Sequence, residues 1–221
     1  MGVPLKLLRR LYRLLAARPV DSIEYWNDRA RQHGARAALN LGHSEEEVDA
    51  VTQMQCDEIF PYFQRELSGG ERVVLDFGCG PGRFSGDLAR LINGSCIAVD
   101  PVQSFLDLAP KHPSVSYQLL PKDCHIPMQD DSADVVWVCL VLGGVGPGLL
   151  STVCSELLRV LKLGGLLFLV ESTSQIPDSP TWSYRSIAEY HRLFPEVNLK
   201  HLHDYFDLGQ RISIMSGRMP S

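Results

Sequence analysis

Apolar and polar positions follow two different periods along this chain of 221 residues. In residues 4–17, leucines occupy one half of a helical wheel and four basic side chains occupy the opposite face. This pattern predicts a basic amphipathic helix within residues 1–20. Two interpretations of this helix stay open. It lies on an anionic membrane surface, or it packs on the body of the protein or on a second subunit.

Residues 21–68 continue the helical period and form a predicted N-terminal cap. One helix is expected over 22–40. The next is expected to begin at Ser44, because Ser44 and Glu47 have the spacing of a capping box, in which each side chain accepts a backbone N–H of the other residue. Pro61 is expected to kink or interrupt this helix, because proline lacks the N–H that a helix interior uses.

From residue 69 onward, short apolar strands alternate with helices. The predicted strands cover residues 72–77, 95–99, 115–120, 134–142 and 166–170, and residues 198–216 hold two weaker strands that we expect to pair in antiparallel fashion. The predicted helices cover residues 82–92, 102–109, 149–161 and 183–194, with Gly164-Gly165 ending the third. This order predicts an α/β fold with a doubly wound, mostly parallel seven-stranded sheet and an N-terminal helical extension. The predicted domains are residues 1–20, 21–68 and 69–221.

Composition and charge are those of an ordinary globular protein, with 45% hydrophobic residues, 21% charged residues and a net charge of −5. The first 20 residues carry five basic and no acidic side chains, so the rest of the chain carries −10. An acidic body disfavours a nucleic-acid partner, since basic residues neutralise phosphates. The six cysteines form no C-x-x-C pair, so a zinc or redox motif has no support. Several of them lie in apolar runs, as buried thiols do, which indicates a reducing, cytoplasmic compartment, peripheral to the membrane if residues 4–17 bind lipid.

The strongest chemical signal is a strand that runs directly into three glycines spaced two residues apart, Gly78, Gly80 and Gly82. Glycine permits a tight turn and lets a ligand approach the backbone, and the amides at the start of the next helix can receive a polar group. Such sheets bind ligands at the carboxyl ends of their strands. The dinucleotide fingerprint asks for glycine or alanine where this chain has Arg83, so the pattern differs from that of nicotinamide-dependent enzymes.

With Asp76 two residues before the first glycine, this segment resembles motif I of the class I S-adenosylmethionine-dependent methyltransferases. Residues 97–101, 126–134 and 158–165 resemble, in the same order, the second strand, the approach to the fourth strand and the segment before the fifth strand of that family. The resemblance covers about residues 71–172. It implies a Rossmann-like fold and S-adenosylmethionine as the cofactor.

The resemblance also implies the residues of the cofactor site, position by position. Asp100 is expected to hold the ribose hydroxyls, since a carboxylate accepts hydrogen bonds from two neighbouring hydroxyls, and Asp123 and Cys124 are expected beside the adenine. The full expected set is Asp76, Gly78, Cys79, Gly80, Gly82, Asp100, Pro101, Asp123, Cys124 and Cys139. Many small-molecule relatives carry a histidine pair after the fourth strand, where this chain has Gly143-Gly144, so that position offers no base.

The base that an oxygen acceptor requires has no motif around it in this sequence. The candidates near the expected mouth of the site are His125 after the third strand, Glu171 at the end of the fifth and His191 on the following helix. Tyr25 and His33 are further candidates on the N-terminal helices. No metal ion is expected, because the sequence has neither a C-x-x-C nor an H-x-x-x-H pattern.

These observations predict an S-adenosylmethionine-dependent methyltransferase for a small molecule or a glycan, with O-methylation as the expected chemistry. Residues 171–194 mix aromatic, basic and hydroxyl side chains, which suits this class of acceptor and is equally consistent with a lid that packs on the sheet. Three alternatives stay open: a protein methyltransferase, a cofactor-binding module without catalysis and, least favoured, an NAD-dependent oxidoreductase. The chain is expected to act as a monomer or a homodimer, without a nucleic-acid partner.

Overall fold

The computed structural model describes residues 22–221, and the basic helix predicted for residues 4–17 lies outside them. The described chain opens with helix α1 (Ser22–His33), a 3₁₀ turn (Gly34–Ala38) and helix α2 (Val48–Glu66). Helix α1 ends before the predicted boundary at residue 40, because Gly34 adopts the left-handed region with a φ of 55°. Glycine enters this region without the steric cost that other residues meet.

Helix α2 begins later than predicted and continues through Pro61. It begins after Glu47 and not at Ser44: the Glu47 carboxylate accepts the Ser44 N–H at 2.6 Å, but the turn between the two residues is not helical. Pro61 lies inside the helix without interrupting it. Ile59 and Phe63 of the same helix are fully buried, so packing on the sheet outweighs the roughly 3 kcal/mol that a proline costs in a helix interior.

Seven strands of the described chain form a sheet in the order β3-β2-β1-β4-β5-β7-β6. The strands are β1 (Val73–Phe77), β2 (Ser95–Asp100), β3 (Val115–Leu119), β4 (Ala133–Cys139), β5 (Leu161–Ser172), β6 (Lys200–Asp207) and β7 (Gln210–Arg218). Strands β1 to β5 pair in parallel, and β7 is antiparallel to both β5 and β6. The predicted doubly wound, mostly parallel sheet and the antiparallel tail are confirmed.

The remaining helices connect these strands. They are α3 (Ser85–Leu91), α4 (Gln103–Leu106), α5 (Pro147–Val160) and α6 (Ile187–Leu193), with a 3₁₀ turn at Leu142–Gly144. Gly164 and Gly165 were expected to end α5, and this prediction is wrong, because both lie inside β5. The strand starts as soon as the helix ends, since Leu161 is buried and already pairs with Ala133 of β4. Within residues 22–221, no helix combines the length and the apolar character that a membrane span needs.

Both faces of the sheet are buried, as its nearly continuous apolar strands predict. Alternate residues of β1 lie on opposite faces of the sheet: Leu75 and Phe77 belong to the hydrophobic core on one face, and Val74 belongs to the core on the other. On the second side, the Trp137 ring stacks on Phe168 with centroids 5.1 Å apart. These packed layers hold the strand ends in place, and the candidate site is built on the carboxyl ends of β1, β2 and β4.

Candidate functional site

The carboxyl ends of β1, β2 and β4 surround a pocket, which we call the sheet-end pocket. Ile23 and Trp26 of α1 also line it, and it encloses about 1010 Å³ including the part open to solvent. The residues expected from sequence that line it are Asp76, Gly78, Cys79, Gly80, Asp100, Pro101, Cys124 and Cys139. The fold therefore gathers most of the expected cofactor positions around one space.

The glycine turn after β1 is held by backbone hydrogen bonds to the neighbouring strand. The N–H groups of Gly78 and Cys79 donate to the Val99 carbonyl at 2.8 and 3.1 Å. Gly78 has a φ of 71°, and a Cβ at this position would lie 2.5 Å from Val141 Cγ2. Glycine is required here for both conformation and space, and the resulting turn presents bare backbone to the pocket.

Asp100 ends β2 and fastens this turn. Its Oδ2 accepts the Gly80 N–H at 2.9 Å, and its Oδ1 accepts the Val102 N–H at 2.8 Å. Burial raises the pKa of Asp100 to about 6, although both backbone hydrogen bonds act in the opposite direction. Each carboxylate oxygen has a second lone pair, so the side chain can still accept hydrogen bonds from a ligand in the pocket.

Asp76 lies beside the turn as a second buried carboxyl group. The Ser85 hydroxyl at the start of α3 donates to it at 2.6 Å. Burial raises the pKa of Asp76 to about 7, and the negative charge of Asp100 adds to the increase, while the Ser85 hydrogen bond opposes it. Two acidic groups on one wall make this end of the pocket suited to hydroxyl or ammonium groups.

Two expected cofactor residues, Gly82 and Asp123, are not among the residues that line the sheet-end pocket. Gly82 is buried with a φ of 75°, and a Cβ there would lie 2.5 Å from the hydroxyl oxygen of Tyr117. Its geometry is therefore explained by packing against β3. Asp123 is exposed and accepts the His125 N–H at 3.1 Å. Its neighbour Cys124 is buried and lines the pocket.

Sequence reasoning did not assign a role to Arg83, which also lines the pocket. Its Nη1 donates to Thr52 Oγ1 at 3.1 Å and to Gln55 Oε1 at 2.8 Å, both on α2. Burial lowers the pKa of Arg83, yet an arginine side chain stays protonated in proteins. Among the ion pairs of residues 22–221, none includes this guanidinium. The only signal in the sequence was an arginine where the dinucleotide fingerprint has glycine.

Glu171, one of the three expected base candidates, is fully buried at the end of β5. Its Oε1 accepts the N–H groups of Val141 and Leu142 at 2.9 and 2.7 Å, and the Tyr190 hydroxyl donates to its Oε2 at 3.4 Å. Burial raises the pKa of Glu171 to about 7 against these backbone hydrogen bonds. The carboxyl group holds the loop that follows β4, which explains why β4 ends at Cys139 and not at residue 142 as predicted.

The two histidine candidates lie away from the pocket. His125 is exposed, and its Nδ1 is 3.1 Å from the Glu156 carboxylate. His191 is exposed on α6. Neither lines the sheet-end pocket, so the structure does not bring the three expected base candidates together.

A second pocket adjoins the first, and we call it the cover pocket. It lies between α1, the segment after the 3₁₀ turn, the loop after β5 and the β6–β7 hairpin. It is lined by Tyr25, Trp26, Arg29, Ala38, Leu39, Asn40, Leu41, Leu140, Ser172, Ser179, Thr181, Trp182, Tyr184, Asp207, Gln210 and Ile212. Trp26, Ala38 and Leu140 line both pockets. The two spaces thus share a wall. The first is lined mainly by apolar side chains, with the glycine turn and the carboxyl groups of Asp76 and Asp100, and the second has aromatic and hydroxyl groups around it.

Arg29 and His43 hold the N-terminal segment over the cover pocket. Arg29 donates from Nε to the carbonyl of Ala37 at 2.9 Å and from Nη2 to that of Leu39 at 2.6 Å. His43 Nε2 lies 2.5 Å from the carboxylate of Asp207 at the end of β6. The side chains that close this pocket therefore come from both ends of the described chain. No group of three metal-ligating side chains is found between residues 22 and 221.

Comparison with known proteins adds sequence relatives to this geometry. A family model described as a methyltransferase domain matches residues 75–169. The chain is 30% identical over 130 residues to a malonyl-[acyl-carrier protein] O-methyltransferase of Yersinia pestis, covering 59% of this chain and 48% of that protein. It is 34% identical over 110 residues to ribosomal RNA-processing protein 8 of Mus musculus, covering 50% of this chain and 20% of that protein. The matches span less than half the length of these curated relatives.

Among solved structures, the fold is similar to that of a SAM-dependent methyltransferase from Leishmania major. The TM-score is 0.66 at 17% sequence identity, and the match covers 90% of this chain and 82% of that chain. At this identity the similarity establishes the architecture, and it extends well beyond the residues that the family model matches.

Proposed function

This chain belongs to the class I S-adenosylmethionine-dependent methyltransferases, and we propose that it transfers a methyl group to a hydroxyl of a small molecule or a glycan. The observation that carries the proposal is the shared wall between the sheet-end pocket and the cover pocket. A transfer reaction needs donor and acceptor in adjoining spaces, so that their reacting atoms meet in one orientation.

The sheet-end pocket has the chemistry that S-adenosylmethionine requires. Asp100 would accept from the ribose hydroxyls, Arg83 would pair with the carboxylate of the methionine part, and the bare turn at Gly78 would lie against that part. The bound cofactor supplies an activated methyl group on a sulfonium. What remains for the protein is to bind, to orient, to exclude water and to take up a proton.

The cover pocket supports an acceptor that is small and polar. Trp182 and Tyr184 contribute aromatic rings, and Ser179 and Asn40 contribute polar side chains, around the same space. Rings flanked by hydroxyl and amide groups suit a sugar or a flat hydroxylated compound. The pocket is also enclosed by α1 and the loop after β5, which favours a small acceptor over a folded protein or an RNA.

The proposal is tested in two steps. Isothermal titration should detect binding of S-adenosylhomocysteine and no binding of NAD. Tritiated methyl transfer from S-adenosylmethionine should then label hydroxyl probes, such as a catechol or a methyl glycoside. Trp182→Ala should raise the KM for such a probe without changing the dissociation constant of S-adenosylhomocysteine, since Trp182 lines only the cover pocket.

Each alternative gives a different result in the same assays. A protein methyltransferase would label peptides and not the small probes. A binding module would take up S-adenosylhomocysteine and label nothing. An oxidoreductase would bind NAD in place of S-adenosylhomocysteine, and this outcome would contradict the family chemistry as well as the proposed acceptor.

A further inference from the structure

The cover pocket contains a phenol next to the wall that it shares with the sheet-end pocket. Tyr25 lines the cover pocket, and the following residue, Trp26, lines both pockets. The two rings meet edge to face with centroids 5.3 Å apart. Resting on the proposed function, we propose that Tyr25 is the catalytic base, which accepts the proton of the acceptor hydroxyl, and that Arg29 is its positioning residue.

Arg29 is held rigidly against the Tyr25 oxygen. Two of its nitrogens are engaged by the carbonyls of Ala37 and Leu39, and its third, Nη1, donates to Tyr25 Oη at 3.1 Å. A fixed guanidinium at this distance stabilises a phenolate more than a phenol. Because these carbonyls fix the planar guanidinium group of Arg29, the cation does not have to reorganise when the phenol ionises.

Arg29 and Thr181 outweigh the effect of burial on the pKa of Tyr25. Burial by itself raises the pKa of Tyr25, but the hydrogen bond and charge of Arg29, with a contribution from Thr181, lower it overall. The other charged or titratable groups that line the cover pocket are Asp207 on β6 and Tyr184 on the loop after β5. Asp207 is hydrogen-bonded to His43, and Arg29 is the cationic neighbour that a base of this kind needs.

The proton transfer completes a balanced displacement. As the acceptor oxygen forms its bond to the methyl carbon, the bond between sulfur and that carbon breaks and its electron pair stays on sulfur. The O–H proton of the acceptor passes to the Tyr25 phenolate, which becomes a phenol and later loses the proton to solvent. No other reactant is required.

The first test needs no acceptor. Tyrosinate absorbance is followed while the pH is raised, and the titration curve of Tyr25→Phe is subtracted from that of the wild type. One tyrosine should ionise below the ordinary value of about 10. Arg29→Gln should raise the pKa of this tyrosine toward its ordinary value. Arg29→Lys keeps a cation and should therefore restore part of the lowering of the pKa. The proposal would be overturned by a difference curve whose midpoint lies at or above the ordinary pKa of tyrosine, or by a midpoint that Arg29→Gln leaves unchanged.

The second test uses a hydroxyl probe, a catechol or a methyl glycoside, and an amine probe of similar size. Tyr25→Phe should lower kcat for the hydroxyl probe by on the order of 100-fold, while KM and the S-adenosylhomocysteine dissociation constant stay within about threefold of wild type. The rise of kcat with pH that follows ionisation of Tyr25 should disappear in the variant. Tyr62→Phe is the matched control, since Tyr62 stacks on His203 and lines neither pocket.

The outcomes separate this inference from the proposed function. A wild-type protein that fails to bind S-adenosylhomocysteine contradicts the proposed function. Binding and probe methylation with an unchanged kcat and pH profile in Tyr25→Phe contradict only the role of Tyr25. Methylation of the amine probe alone also overturns the inference. Labelling of neither probe contradicts the proposed acceptor chemistry, on which the inference rests.

Discussion

Asp100 at the end of β2 accepts a hydrogen bond from the backbone N–H of Gly80 at 2.9 Å, so the carboxylate expected to hold a ribose also fastens the glycine turn. One side chain thus links two segments of the site that belong to different strands. Removing it should loosen the turn as well as delete a ligand contact.

Asp100→Ala is expected to weaken S-adenosylhomocysteine binding by about 30- to 1000-fold, because hydrogen bonds to a charged group contribute roughly 1.5–3 kcal/mol each and add incompletely. Asp100→Asn should lose less, since one acceptor oxygen remains. Isothermal titration measures both values. Asp130→Ala removes the same charge from an exposed side chain that pairs with Arg159. Equal and small losses in Asp100→Ala and Asp130→Ala would remove Asp100 from the cofactor site.

Arg83→Gln is expected to weaken S-adenosylhomocysteine about 10- to 100-fold, as the loss of a charge-assisted pair implies. The same variant should bind 5′-methylthioadenosine, which lacks the carboxylate, within about threefold of wild type. Calorimetry with the two ligands therefore reports on the carboxylate alone. Arg90→Gln, at the surface pair with Asp87, is the control. If Arg83→Gln weakens both ligands equally, the guanidinium supports the pocket and does not contact the methionine part.

Three buried carboxyl groups should make the ligand-free protein less stable as the pH rises. The pKa of Asp100 is raised to about 6, and those of Asp76 and Glu171 to about 7. A raised pKa means that the folded state favours the protonated acid. Its contribution to stability is complete below the ordinary value of about 4 and is lost as the pH passes through 6 to 7. Glu71, whose pKa is lowered to about 2, acts in the opposite direction, but only below about pH 4.5.

Urea unfolding at pH 5 and pH 8 tests this pH dependence. Glu171→Gln should reduce the difference between the free energies of unfolding at the two pH values. Its amide oxygen can still accept both loop N–H groups, and the side chain carries no charge to bury. Asp130→Asn, on an exposed side chain, should leave the difference as it is in the wild type. A Glu171→Gln protein with the full wild-type pH dependence would show that Glu171 does not titrate in this range.

Gly82→Ala is expected to destabilise the fold, although Gly82 does not line the sheet-end pocket. The new Cβ would lie 2.5 Å from the Tyr117 hydroxyl, on a residue with a φ of 75°. Crowding and backbone strain together should lower the free energy of unfolding by about 1–3 kcal/mol or more, as measured by urea denaturation. Gly148→Ala is the control, because its added Cβ has no atom within 4 Å apart from its chain neighbours and the backbone of its own helix. Unchanged stability with lost cofactor binding would return Gly82 to the ligand site.

Local pattern was sufficient to predict the strands of the sheet and the glycine turn that lines the sheet-end pocket. Buried parallel strands read as apolar runs, and a turn with left-handed residues demands glycine, so both leave a signal within a few neighbouring positions. The same locality explains the error at Ser44, because the spacing of a capping box does not determine whether the turn between its two residues becomes helical. At Pro61 the helix continues, since the burial of Ile59 and Phe63 on the sheet outweighs the cost of the proline.

The sequence by itself determined the family fold, the glycine turn and the acid at the end of β2, because each follows from residues that are adjacent in the chain. Only the tertiary structure decided which side chains line the cover pocket. Tyr25, Arg29 and Asp207 carry no motif, and they lie near opposite ends of the described chain. Their assembly depends on how α1 and the β6–β7 hairpin fold over the strand ends, and no local spacing encodes a contact between segments so far apart.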